Sequence, residues 1–262
     1  MVALRKVDFE TGDFSQNIQN VTGMSTITKG LKGSYAALLR SPPTSSLMFW
    51  SWDVVHDYPE MYIDFLVQVQ QGFVVPEGGF WQLLWEENAP HPIGGNEHFG
   101  LMFKTARGVT NNIFLQFYSN YDIRQYDLPF EWGIAPEGEG SDRAAELYTG
   151  VEMPTGQPVH FEIYVKTHMT DGIIRIKMNG TVIIDYHGRT QFDAPIDPDT
   201  GQPNNAIAYV LTNYCADSLP VHDIIFDDIY IGTEPLAPTP TPPIIPALFI
   251  GGALLYLLTR RG

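Results

Sequence analysis

The chain has 262 residues, with 15 Lys and Arg against 30 Asp and Glu, so its formal net charge is −15 at pH 7. That acidity excludes nucleic acid, because phosphate binding needs a basic face that releases counterions, and it excludes charge-driven adhesion to anionic lipid. A 44% hydrophobic content makes the bulk globular, and the single Cys215 excludes an intramolecular disulfide framework or a thiolate metal cluster.

In chain order, strand signals begin at 33–40 and 46–50. Strict alternation follows in Met61, Ile63, Phe65, Val67 and Val69, with Asp64, Gln68 and Gln70 on the other side. Strands are expected at 80–86, at 98–104 and around Ile113, Leu115 and Phe117. A stretch rich in Gly, Glu and Pro, 133–158, reads as a loop. Alternation resumes at Val159, Phe161, Ile163 and Val165, and 172–178 and 181–186 flank Asn179-Gly180, a pair suited to a tight hairpin turn. After a second loop at 187–205, strands are expected at 206–213 and 222–231. The pattern predicts an all-β, two-sheet antiparallel sandwich over 1–233.

The C-terminus changes character. Residues 234–243 form a Pro/Thr-rich linker, 244–259 an apolar segment read as a membrane-spanning helix, and 260–262 a basic tip. The N-terminal Met1–Phe9 has no apolar signal region, which places the domain on the cytoplasmic face, whereas Arg260 and Arg261 argue for the periplasmic or extracellular one.

Three segments carry a resemblance. They are Val7-Asp8-Phe9-Glu10-Thr11-Gly12 with Gly33-Ser34-Tyr35, the hairpin from Val159 through Asn179-Gly180, and the closing Ile224–Thr233. Together they resemble the concanavalin A-like jelly-roll superfamily of lectins, laminin-G-like domains and polysaccharide-lyase-like enzymes. The resemblance implies one domain and a structural calcium between the first and last strands. Its ligands would come from Glu10, Gly33 and Asp227 or Asp228, a set of oxygen donors that suits a hard cation.

Catalytic motifs are sparse. The chain lacks the E-x-D-x-x-E strand of laminarinase-like relatives and the Arg-rich and Gln-x-His strands of alginate-lyase-like ones. Phe80–Trp85 and Asn96–Leu101 resemble heparin-lyase-like sheets, which implies His98 as proton acceptor with Tyr118 or Tyr164 as donor. Scarcity of Arg and Lys to hold uronate carboxylates argues against that lyase. The seven histidines form no zinc-binding pair. Trp52, Trp81, Trp85 and Trp132 are the candidate binding residues, as platforms for sugars or anchors for a protein.

From these features the expected function is a non-catalytic, membrane-anchored interaction subunit docked on a larger membrane assembly of respiratory or photosynthetic type. The alternatives are an exported carbohydrate-binding, lectin-like module and a polysaccharide lyase.

Overall fold

A computed structural model describes residues 3–15, 25–41, 49–52, 60–78, 80–90, 96–119, 133–134, 144–168, 170–190, 208–212 and 219–236. The linker beyond Leu236, the segment 244–259 and Trp132 lie outside these residues. No helix among the described residues is long and apolar enough to cross a membrane.

The regular elements are β1 (Ala3–Val7), β2 (Ser25–Lys29), β3 (Tyr35–Ser41), β4 (Phe49–Trp52), β5 (Glu60–Val69), β6 (Gln82–Pro90), β7 (Asn96–Ala106) and β8 (Val109–Ser119). They continue with β9 (Gly133–Ile134), β10 (Ala144–Glu152), β11 (Val159–Lys166), β12 (Gly172–Met178), β13 (Thr181–Gly188), β14 (Ala208–Thr212) and β15 (His222–Gly232). One sheet has eight strands in the order β13-β12-β11-β5-β15-β3-β2, with β1 also paired to β15. The other has seven, in the order β4-β14-β6-β7-β8-β10-β9. Every strand pair is antiparallel, as the alternating pattern predicts.

The alternation seen in the sequence becomes the core. Residues 61–69 of β5 alternate buried and half-buried along their whole length, and β11 does the same. Phe65 meets Phe161 at 5.5 Å and Phe226 at 5.9 Å between ring centroids. The seven-stranded sheet contributes Trp85, Leu101, Phe103, Leu115 and Phe117 to the same cluster. Each such ring or aliphatic chain taken from water contributes about 1.5–3 kcal/mol. The two sheets are also joined by a buried polar contact: the His222 imidazole stacks on Phe73 at 3.8 Å and lies 2.7 Å from Gln82 Oε1.

Four strands depart from the expected pattern. The short β1 and β2 were not expected, and 133–158 is not one loop, because β9 and β10 lie within it. In β10, Ala144, Ala145 and Glu146 are all buried, so both faces of its first half are covered and no alternation marks it. The Asn179-Gly180 turn is as expected, with both residues at positive φ, 49° and 79°.

Candidate active site

Lys104, Gln116, Glu146 and Tyr148 gather on the outer face of the seven-stranded sheet, on three adjacent strands. Register sets their order. Tyr118 lies between His98 and Ala144, Gln116 between Gly100 and Glu146, and Phe114 between Met102 and Tyr148. Successive rows are two residues apart along each strand, about 6.6 Å.

Gly100 leaves the middle row without a side chain of its own, and the tips of Met102 and Leu83 cover it: a Cβ there would come within 2.8 Å of Met102 Cε and 3.1 Å of Leu83 Cδ1 and would have to displace them. Leu83, Met102 and Phe114 form a small apolar cluster on this face, packed against Trp81 and Tyr148.

A charged pair stiffens the other end. Lys104 Nζ donates to both Glu146 oxygens, at 2.8 and 2.9 Å, with the residues only 8% and 3% exposed. The Tyr148 hydroxyl donates to Glu146 Oε2 at 2.5 Å, and Gln116 Nε2 donates to Oε1 at 3.4 Å. Burial pushes the Tyr148 phenol well above its ordinary pKa, and the bond to Glu146 adds to the shift, so it remains protonated. Arg107 and Gly108, at φ 55° and 75°, turn the β7–β8 hairpin. That turn sets the exposed Arg107 guanidinium 4.3 Å from the centre of the Tyr148 ring. Arg107 is thus the exposed cation of this cluster, since Lys104 is held by Glu146.

The expected residues divide between the faces. His98 and Tyr118 are direct cross-strand partners on this sheet. Tyr164 is not placed with them: it lies on β11 of the opposite sheet, paired in register with Tyr62. Trp81 borders the candidate face. Trp85 is corrected as a platform, because it is 0% exposed and sits in the core between the sheets. Trp52 pairs with Tyr209 at the β4–β14 edge. Lys104, Glu146 and Tyr148 were not singled out in the sequence; the only local signal is the i, i+2 spacing of Glu146 and Tyr148, which places them on one face of a strand.

The residues implied as calcium ligands do converge on one turn, 30–35. Leu31 and Lys32 N–H groups donate to Asp227 Oδ2 at 2.9 and 2.8 Å, and Asp228 N–H donates to Oδ1 at 2.8 Å. Ser34 and Tyr35 N–H groups donate to Glu10 Oε1 at 2.8 and 3.2 Å, and the Lys32 ammonium pairs with Asp228. Gly33, at φ 82°, makes room for Glu10, whose carboxylate a Cβ there would strike. This arrangement does not fit calcium, since N–H donors and an ammonium take the oxygens that a cation would need. Among the described residues no group of three or more His, Cys, Asp or Glu is placed to hold a metal ion.

No protein-family model and no curated protein matches the sequence. Solved structures do match the fold. Alginate lyase Aly36B is 16% identical, with 87% of this chain and 95% of that one covered at a TM-score of 0.54. The endo-β-1,4-glucuronan lyase from the fungus Trichoderma reesei is 12% identical, with 89% and 96% covered at 0.56. The marine PL-14 alginate lyase from Aplysia kurodai is 12% identical, with 89% and 100% covered at 0.55. These likenesses are of fold: the two-sheet antiparallel sandwich of this chain is similar to the sandwiches of these proteins, in keeping with the jelly-roll architecture expected from the sequence. The expected non-catalytic membrane-assembly subunit is corrected by this likeness: the sandwich is shared, over nearly its whole length, with alginate and glucuronan lyases.

Proposed function

We propose that the chain is a polysaccharide lyase, cleaving a 4-linked uronate glycan by β-elimination on the outer face of the seven-stranded sheet. The observation that carries this reading is the direct pairing of His98 with Tyr118, one row from the pair of Gly100 with Gln116. The shared fold with alginate and glucuronan lyases supports it.

Elimination needs a proton acceptor, a proton donor and a partner for the uronate carboxylate. His98 takes the proton from C5, and the C–H electron pair becomes the C4=C5 double bond as the C4–O bond breaks. Tyr118 protonates the departing oxygen. Gln116 donates to the carboxylate at the cleavage point. Arg107, stacked on Tyr148, holds the carboxylate of a sugar further along the chain. Lys104 and Glu146 do not touch substrate; they fix Tyr148 and Gln116.

The test is the ultraviolet absorbance of the unsaturated uronate product on alginate and on glucuronan. His98→Ala and Tyr118→Phe should each lower kcat by about 10²–10⁴-fold, the contribution of general acid–base catalysis. Arg107→Ala should raise KM and leave kcat in place. No absorbance on either polymer, or full turnover by both proton-transfer variants, overturns the reading.

A further inference from the structure

The opposite sheet holds a cavity that the proposed chemistry does not use. A cavity of about 440 Å³ opens over β5, β11 and β12, lined among others by Tyr62, Asp64, Glu162, Tyr164, Arg175 and Lys177. Its volume falls within the roughly 300–1,000 Å³ of small-ligand sites. Tyr62 and Tyr164 form one wall, their ring centroids 4.9 Å apart and their planes tilted by 33°. Leu236, largely exposed, adds an apolar edge at the rim.

The charges around this cavity are already matched. Arg175 grips Asp185 through two N–H···O bonds of 2.9 and 3.3 Å. Lys177 lies 3.4 Å from Glu162, and His160 lies 2.8 Å from Asp64. An anionic polymer would have to displace a resident carboxylate from each cation. A neutral sugar meets no such obstacle. Paired carboxylates and cations still offer fixed acceptors and donors to hydroxyl groups, while the tyrosine wall suits the C–H face of a pyranose ring. From these features we infer that the outer face of the eight-stranded sheet carries a binding site for neutral glycan, distinct from the uronate site on the other sheet. The chain then grips one polymer while it cleaves another.

The test is affinity electrophoresis of the full chain in gels containing hydroxyethylcellulose or alginate. Retardation by the neutral polymer is expected. Tyr62→Ala should weaken it by about two- to tenfold, a loss of one aromatic contact, and Tyr62→Phe, which keeps the ring, should restore it. Tyr118→Phe should leave it unchanged, so that failure of the lyase reading and failure of this one are separate results. The inference is overturned if the neutral polymer does not retard the protein. It is equally overturned if Tyr62→Ala and Arg175→Ala bind as the parent does, or if retardation occurs only with alginate and is lost with Arg107→Ala.

Discussion

Lys104 and Glu146 bury opposite charges beside two aromatic rings, with the ammonium 5.0 Å from the Phe114 centroid and 5.6 Å from that of Tyr148. Removing one partner strands the other charge in a dry site. Lys104→Ala should therefore cost about 3–5 kcal/mol in urea denaturation, whereas replacing both residues with apolar ones of similar volume should cost far less. An equal cost for the single and double variants would show that packing, not charge, is what the pair supplies. On the other sheet, His160 has its pKa raised, chiefly by the hydrogen bond to Asp64 and against the opposing effect of burial. A raised pKa means that the folded state binds the proton more tightly than the unfolded one. The stability from this pair is complete below the unfolded value of about 6.5 and is lost as pH rises through the folded value. Melting curves taken across that window should flatten in His160→Asn; an unchanged slope would place the pH dependence elsewhere.

At the scale of the element, the turn at 30–35 binds the opening segment to β15 through backbone N–H donors to Glu10 and Asp227 and the Lys32–Asp228 pair. Gly33→Ala would place a side chain at φ 82° and displace the Glu10 carboxylate, for a loss of roughly 1–3 kcal/mol. A chelator should leave the melting temperature of the parent protein unchanged; a fall on chelation, restored by added calcium, would show that these carboxylates turn towards a cation. In the eight-stranded sheet β5 and β11 were legible because one face of each is core and the other partly solvated, so Met61–Gln70 and Val159–Lys166 display the pleat directly. In β10 both faces of the first half are buried, and Gly150 at φ 72° marks the end of regular pairing with β8, so composition argued for a loop. The candidate site was only partly legible for a related reason. His98 and Tyr118 stand in strands with clear patterns, whereas Lys104, Gln116, Glu146 and Tyr148 become a unit through register across three strands, and register is not local information. Tyr164 resembled Tyr118 in its strand context, and only the division into sheets separates them.

Across the whole molecule, a charge of −15 acts on any anionic polymer that approaches. Raising ionic strength from about 0.01 to 0.15 M shortens the screening length from roughly 30 to 8 Å. KM for a polyuronate should fall over that range with kcat little changed; a rise in KM would mean that the patch around Arg107 governs approach instead. The position of β15 has another consequence. The last strand of the sandwich lies inside its sheet, with β5 along one side and β3 and then β1 along the other. On a ribosome, β5, β11, β12 and β13 can assemble as they emerge, but β1 and β3 have no place beside them until His222–Gly232 has left the exit tunnel. The sheet therefore closes late, through contacts that join the two ends of the domain, and a chain cut short before His222 would hold two half-sheets with open edges, a form prone to aggregate rather than a smaller folded domain.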